Sequence, residues 1–145
     1  MAAHLIVLDN SINSRLLWPD NEKPENNRYA LKVIQLAKKG TVFHVPTIWH
    51  YEAVQVAYKL TKTGQIAQSD AQLYFNQLAL LPIMTDVQSH SNSFTASYAL
   101  SLNYNVSIYD AAYLELALRL GAELASNDDA LVKAAKKAGV LLSRR

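Results

Sequence analysis

The stretch His4-Leu5-Ile6-Val7-Leu8-Asp9 decides the fold of this chain, because it is a short apolar run that ends on a carboxylate. Such a run, bounded by the polar pair Asn10-Ser11, is typical of a strand that is buried on both faces of a parallel sheet. In open α/β sheets, ligands bind outside the carboxyl ends of the strands. We therefore expect Asp9 to lie at the ligand-binding edge of such a sheet.

Strand-like and helix-like segments alternate along the rest of the chain. A second strand is predicted over 41–45, and an edge strand over 81–85, where a proline cannot donate to a neighbouring strand. Two further strands are predicted over 122–125 and 140–142. The segments between the strands have the apolar periodicity and the end signals of helices. This alternation predicts a single α/β domain over 1–145, with a parallel sheet covered by helices on both faces.

Three polar signals locate the beginnings of helices. Asn26 or Asn27 is expected to cap the helix that precedes the second strand. The segment 69–72, Ser-Asp-Ala-Gln, has a capping-box pattern. Ser107 is placed to cap a helix that begins close to Asp110.

The composition is that of a globular protein, since 50% of the 145 residues are hydrophobic and 18% are charged. The absence of cysteine excludes disulfides and thiolate metal sites, and it suits a reducing cytoplasm. No apolar run is long enough to span a membrane, and the N-terminus lacks the cationic region of a signal peptide. We therefore expect a cytoplasmic protein with no membrane segment.

The basic residues are unevenly distributed, although the net charge is only +2. Five of the 14 lysines and arginines lie within 133–145, namely Lys133, Lys136, Lys137, Arg144 and Arg145. Two interpretations stay open at this point. The group is either a patch that faces phosphates or a solvated helix face followed by a tail.

Four carboxylates are predicted to stand at junctions between elements. Asp9 ends the first strand, and Glu52 lies in the first turns of the helix after the second strand. Asp110 and Asp128 lie at the beginnings of the last two helices. All four can converge, because strand ends and the helix starts that follow them share one edge of a parallel sheet. For Asp110 and Asp128 there is also a structural explanation, since acids stabilise helix N-termini.

Convergence of these acids would have a chemical consequence. Two unit charges 4 Å apart repel by about 4 kcal/mol at an effective dielectric constant of 20. Clustered carboxylates therefore have raised pKa values or bind a cation, and Mg²⁺ and Mn²⁺ favour oxygen ligands. Such a metal can activate water against a phosphodiester. Polar neighbours that can hydrogen-bond to the acids or to their waters are Asn10, Ser11, Ser126 and Asn127.

Four segments together resemble the PIN-domain family, and in particular the VapC-type toxins of bacterial toxin–antitoxin pairs. They are Val7-Leu8-Asp9-Asn10-Ser11, Val45-Pro46-Thr47-Ile48-Trp49-His50-Tyr51-Glu52, Tyr109-Asp110-Ala111-Ala112-Tyr113-Leu114-Glu115-Leu116-Ala117 and Leu124-Ala125-Ser126-Asn127-Asp128-Asp129-Ala130-Leu131. Their order along the chain matches that of the family, and together they span most of it.

The resemblance implies a three-layer α/β/α domain with a mainly parallel, five-stranded sheet. It also implies a Mg²⁺- or Mn²⁺-dependent endoribonuclease that forms a homodimer and binds an antitoxin protein. The catalytic acids that it implies are Asp9, Glu52, Asp110 and Asp128. Asp9, Asp110 and Asp128 would hold the metal, while Ser11 and Ser126 would support these ligands.

Two positions depart from the family pattern, and at a third either of two neighbouring carboxylates could face the site. Gln55 stands where an Asn is frequent, and Ser126 stands where a Thr is frequent. Asp129 follows Asp128 directly, and the spacing to Leu131 favours Asp128 as the residue that faces the site.

Two alternatives to a nuclease follow from the residues. A catalytically weak PIN-fold module would bind RNA or DNA without hydrolysing it, and the Gln55 departure keeps this hypothesis open. A phosphate-accepting receiver domain would need an acidic pair near the N-terminus, which this sequence lacks. Tyr113 is predicted either to stack on RNA or, more commonly for a tyrosine on an apolar helix face, to pack in the core or at a dimer interface.

Overall fold

The first strand, β1 (Leu5–Leu8), lies inside the sheet in a computed structural model that describes residues 4–144. Its residues Ile6, Val7 and Leu8 are fully buried, as expected for a strand that is covered on both faces. The other strands are β2 (Val42–Pro46), β3 (Ile83–Asp86) and β4 (Glu123–Ala125). All of the pairings are parallel and the strand order is β3-β2-β1-β4, so the prediction of a parallel sheet with an edge strand near residue 83 is confirmed.

The predicted fifth strand over 140–142 is wrong, and within residues 4–144 the sheet has four strands rather than five. This segment runs beside β4 but makes only one β-bridge, between Leu124 and Leu141. The Leu124 amide donates to Val140, and the Leu142 amide donates back to Leu124, at 2.7 and 2.9 Å. Because β4 is only three residues long, the segment finds few backbone partners for a longer ladder.

Helices flank the sheet, in agreement with the predicted α/β architecture. They are α1 (Asn10–Asn13), α2 (Pro24–Gln35), α3 (Ile48–Lys62), α4 (Gln68–Ala79), α5 (Tyr98–Tyr104), α6 (Ile108–Leu120) and α7 (Asp129–Ala138). Short 3₁₀ turns follow α1 and α2, and a π-helical turn, Ser93–Ser97, precedes α5. No helix within residues 4–144 is long and apolar enough to cross a membrane.

The cap predicted at Asn26 or Asn27 is wrong, because α2 begins earlier, at Pro24. Proline is well suited to the first helical position, where its missing N–H would have had no partner. The free amides ahead of the helix are bound by Asp20, whose Oδ1 accepts from the amides of Glu22 and Lys23 at 3.0 and 2.9 Å. Asn26 is therefore inside the helix, where it is buried.

The other two helix beginnings lie close to their predicted positions. α4 begins at Gln68, so the capping box predicted over 69–72 is wrong by two residues: the cap is Ala67, and the Asp70 carboxylate accepts from its amide at 2.9 Å. Ser107 caps α6 as predicted, since its Oγ accepts from the Asp110 amide at 3.1 Å.

Two groups of apolar side chains hold the layers together. The larger contains the strands and the middle of α6, where Tyr113, Leu114 and Leu116 are fully buried. The smaller joins α3 to α4 through Ala53, Ala57, Ala71 and Tyr74. As a result, α3 and α6 are fixed against the sheet, and each carries one of the four predicted acids.

Candidate active site

Asp9 lies directly after β1 and is almost entirely buried, with 5% of its surface exposed. Its amide donates to the carbonyl oxygen of Ala125 at 3.1 Å, which fixes it beside the end of β4. Two hydroxyls donate to its Oδ2: that of Ser11 at 2.5 Å and that of Ser126 at 2.8 Å. Burial raises the pKa of Asp9 above its ordinary value and the charge of Asp128 adds to this, while the two hydroxyls act in the opposite direction.

The loop after β4 is held to Asp9 by the same two serines. The Asn127 amide donates to Ser11 Oγ at 2.8 Å, and the Asp128 amide donates to Ser126 Oγ at 3.0 Å. Each hydroxyl thus donates to the carboxylate and accepts from the loop backbone. Ser11 and Ser126, which the resemblance placed around the acids, therefore join two chain segments at the site.

Glu52 enters from the second turn of α3 and is half-buried. The hydroxyl of Tyr113, on α6, donates to Glu52 Oε1 at 2.5 Å. Burial raises the pKa of Glu52 above its ordinary value and so does the charge of Asp9, while the Tyr113 hydrogen bond lowers it. Because Tyr113 is fully buried, its ring is not available to RNA, and the core-packing alternative is correct.

Asp110 lies in the first turn of α6 and is partly buried. Its pKa is raised to about 7, first by burial and then by the charges of Asp128, Asp9 and Glu52. Each of the other three predicted acids therefore lies near enough to act on Asp110. The structure brings Asp9, Glu52, Asp110 and Asp128 to one end of the sheet.

Asp128 and Asp129 have different surroundings. Asp128 caps α7, because its Oδ2 accepts from the Leu131 amide at 2.9 Å, and its charge acts on both Asp9 and Asp110. Asp129 is exposed to solvent and lies 3.6 Å from the Lys23 ammonium. Of the two, Asp128 is the carboxylate that belongs to the cluster.

The donor set suits a hard divalent cation that keeps part of its water shell. Within residues 4–144, no group of three or more His, Asp or Glu side chains is arranged closely enough to hold a metal ion by itself. Mg²⁺ does not require such a cage, because it is commonly bound by one or two carboxylates together with waters and substrate oxygens. A cation would also offset the burial and the mutual repulsion that together raise the pKa of Asp110.

The basic C-terminal group divides into two parts. Lys133, Lys136 and Lys137 are exposed on α7, and this exposure is compatible with both a solvated helix face and a patch that faces phosphates. Arg144 instead folds back and donates to the carbonyl oxygen of Ser126. Arg145 lies outside the described residues. The role of Arg144 was missed in the sequence, because a contact across 18 residues of loop and helix leaves no periodic signal.

A groove of about 880 Å³ runs along α3, and Glu52 is part of its lining. Tyr51 and Tyr109 line it, with 82% and 61% of their surfaces exposed. Gln55 and Lys59 lie on the same groove. Exposed aromatic rings beside an acidic cluster form a surface on which flat ligands can stack.

The fold and the site define a class of protein: parallel α/β domains with a carboxylate cluster at the carboxyl edge of the sheet. The PIN domain model matches residues 6–137, so the chain belongs to the PIN-domain family. It is 24% identical, over 128 residues, to the protein named Ribonuclease VapC3 from Pyrobaculum aerophilum, an alignment that covers 88% of this chain and 92% of that protein.

A solved structure has the same fold. The crystal structure of PAE2754 from Pyrobaculum aerophilum superposes with a TM-score of 0.66 and 17% sequence identity. The superposition covers 98% of this chain and 90% of that one. At this identity the similarity concerns the fold.

Proposed function

We propose that this chain is a Mg²⁺- or Mn²⁺-dependent endoribonuclease that hydrolyses RNA phosphodiester bonds and is the toxin component of a toxin–antitoxin system. The observation that carries the proposal is the convergence of four carboxylates: burial and then the charges of Asp128, Asp9 and Glu52 raise the pKa of Asp110 to about 7. Membership of the PIN-domain family and the similarity to a protein named as a ribonuclease support it.

The four acids divide the chemical work. Asp9, Asp110 and Asp128 would hold the metal together with its waters, and Glu52 would act beside them on water or on the phosphate. When bound, the metal would supply Lewis acidity at the scissile phosphate. Ser11 and Ser126 fix the orientation of Asp9 through their hydrogen bonds to Oδ2.

Tyr113 has a corresponding role for Glu52. Burial raises the pKa of the Tyr113 hydroxyl well above 10, and the neighbouring carboxylates add to this, so the hydroxyl keeps its proton and remains a donor. Its hydrogen bond holds one oxygen of Glu52. The second carboxylate oxygen of Glu52 receives no bond from Tyr113 and remains the one that can accept a proton from water.

The groove along α3 favours unpaired RNA as the substrate. Bases stack on aromatic rings only when they are splayed out of a helix, and exposed Tyr51 and Tyr109 offer such rings close to Glu52. Lys59, on the same groove, supplies a positive charge for the RNA backbone.

The assembly belongs to the same proposal: a cytoplasmic homodimer that an antitoxin protein inhibits. Large apolar side chains are exposed on and before α5, where Phe94, Tyr98 and Leu102 keep 91%, 59% and 67% of their surfaces. An apolar surface of this kind supports a protein–protein contact.

A second candidate function is a PIN-fold module that binds RNA or DNA without turnover. Two observations favour it: no three carboxylates within residues 4–144 are close enough to hold a metal by themselves, and Gln55 replaces the frequent Asn next to the groove. Such a module would bind nucleic acid in a salt-dependent way that does not depend on the charge of Asp9.

The experiment that separates the two functions is cleavage of a mixed RNA pool by the purified protein, free of antitoxin. The lanes contain Mg²⁺ or Mn²⁺, EDTA, and the Asp9→Asn variant with metal. Cuts that need the metal and are lost in both controls support the nuclease. Intact RNA in every lane, with salt-dependent RNA binding, supports the binding module instead, and cuts that survive both controls contradict the mechanism.

A further inference from the structure

Arg144 folds back from the end of the described chain and contacts two segments. Its Nη1 donates to the Ser126 carbonyl oxygen at 2.5 Å. Its Nη2 donates to the side-chain oxygens of Asn26 and Asn127, each at 2.9 Å. The guanidinium carbon lies 4.2 Å from the centre of the Tyr29 ring, in a cation–π contact. Arg144 therefore links the loop after β4 to helix α2.

The loop that Arg144 holds is the one that joins Asp9 to Asp128. Ser126 donates to Asp9, and the Asn127 amide donates to Ser11. Asp128, which caps α7, is the next residue. Asn127 is also fixed from its other side, since its Nδ2 donates to the Asn26 carbonyl oxygen at 3.0 Å. A small displacement of Ser126 and Asn127 would thus move Asp128 relative to Asp9.

The partners of Arg144 indicate a geometric role rather than charge neutralisation. Within residues 4–144, its acceptors are one carbonyl and two amide oxygens, and none of them is charged. Arg119 differs in this respect, because it pairs with the carboxylates of Glu115 and Asp86. Only the planar guanidinium can reach several acceptors at fixed angles while it also stacks on a ring, so lysine is not an equivalent replacement.

We propose that Arg144 is a positioning residue for the acidic site: it clamps the 126–127 loop against Asn26 and Tyr29 and so sets the separation of Asp128 from Asp9. The proposal rests on the proposed function for its catalytic consequence, but the clamp itself can be measured without metal or RNA. Arg144 does not contact the reacting groups, and it acts through Ser126 and Asn127.

The first measurement is amide hydrogen exchange by NMR in the metal-free protein, for wild type, Arg144→Lys and Arg144→Ala. The expected result is that the Asn127 and Asp128 amides exchange about tenfold faster or more in both variants, while the amides of β1 keep their protection, because local opening costs less than global unfolding. The matched control is Arg28→Lys, an exposed arginine on the same helix as Asn26 and Tyr29, which should leave every rate unchanged.

The second measurement is Mn²⁺ affinity by calorimetry, followed by the separation of kcat from KM with RNA. Loss of an outer partner of a metal site commonly lowers affinity by about 10–100-fold, and we expect a loss in this range for both Arg144 variants. The loss in cleavage is expected in kcat, with KM for RNA nearly unchanged.

Two results would overturn the clamp. In the first, the Asn127 and Asp128 amides and the Mn²⁺ affinity stay unchanged in folded Arg144→Ala. In the second, exchange accelerates equally at β1, which would make Arg144 a general stabilising residue; Arg144→Lys gives the same comparison if the alanine variant does not fold. A wild-type protein that cleaves no RNA would contradict the proposed function alone, because the exchange rates would still test the clamp.

Discussion

The hydroxyl of Ser126 donates to Asp9 Oδ2 at 2.8 Å and joins two residues that are 117 positions apart in the sequence. The same oxygen accepts from the Asp128 amide at 3.0 Å. One hydroxyl therefore ties the acid at the end of β1 to the acid at the start of α7. The link lies at the shared carboxyl edge of two strands, because β1 and β4, which precede these residues, pair side by side.

Removal of that hydroxyl tests the link. We expect Ser126→Ala to lower kcat for RNA cleavage by about 10–100-fold, as is typical when an outer partner of a metal ligand is lost. Ser126→Thr keeps the hydroxyl and should retain most of the activity. Steady-state kinetics of the two variants measure this effect. Equal activities of Ser126→Ala and wild type would show that the hydrogen bond from Ser126 to Asp9 does not contribute to cleavage.

The raised pKa of Asp110 predicts a pH-dependent stability in the metal-free protein. A carboxyl group whose pKa is about 7 when folded, against 3.8 ordinarily, destabilises the fold when it is charged. Asp110→Asn should therefore be more stable than wild type, with an advantage that grows between about pH 4 and pH 7 and is constant above pH 7. Thermal unfolding in EDTA across this range measures it. An advantage that grew towards acid pH would have the wrong sign and would contradict the clustering of the acids.

Addition of metal should make wild type more stable than Asp110→Asn, the reverse of the order expected without metal. A bound cation stabilises the charged form of the cluster. Because it binds only the folded state, it raises the free energy of unfolding. We expect Mn²⁺ to raise the midpoint of wild type at pH 8 and to raise that of Asp110→Asn much less. Equal shifts in the two proteins would indicate that the metal binds elsewhere.

The buried side-chain amide of Asn13 joins three helices. Asn13 donates to the Tyr74 hydroxyl at 2.8 Å and accepts from the Trp49 indole at 2.9 Å, which joins α1 to α3 and α4. Asn13→Ala would leave both partners buried without it, at a cost of about 2–4 kcal/mol in unfolding free energy. Urea denaturation measures this loss, and exposed Asn103→Ala is the control. A change below about 0.5 kcal/mol, the usual range for surface substitutions, would show that water replaces the amide.

Tyr51 tests whether the groove along α3 binds bases. Stacking of a base on an aromatic ring contributes about 1–3 kcal/mol, which corresponds to roughly a 5- to 150-fold increase in KM when the ring is lost. Tyr51→Ala should show this increase with kcat little changed, while Tyr51→Phe keeps the ring and should behave like wild type. An unchanged KM would remove the groove from the RNA-binding surface.

Local chemistry made much of the fold predictable. The buried strand before Asp9 could be found from its composition, and the Ser107 cap of α6 could be found from a spacing of three residues. The gathering of four acids at one end followed from a general property of parallel sheets. These features depend on neighbours in sequence or on a rule for the whole fold class.

Features that depend on long-range contacts could not be predicted in the same way. Tyr113 reaches Glu52 across 61 positions, and Arg144 reaches Asn26 across 118. The prediction of a fifth strand was wrong for a related reason, since the apolar character of 140–142 does not reveal that this segment makes only one bridge to β4. The start of α2 was misplaced because Pro24 and Asp20 act together, while the asparagines after them resemble caps.

The most direct test of the central claim is the rate at which metal-stripped protein cleaves RNA when Mn²⁺ is restored, for wild type and Asp9→Asn in parallel. Hydrogen-deuterium exchange or circular dichroism confirms that both proteins are folded. The account predicts full recovery of wild-type cleavage and a rate at least about 100-fold lower for Asp9→Asn, because loss of a ligand should cost no less than loss of its outer partners. Equal rates for the two proteins, or wild-type cleavage that persists without metal, would contradict it.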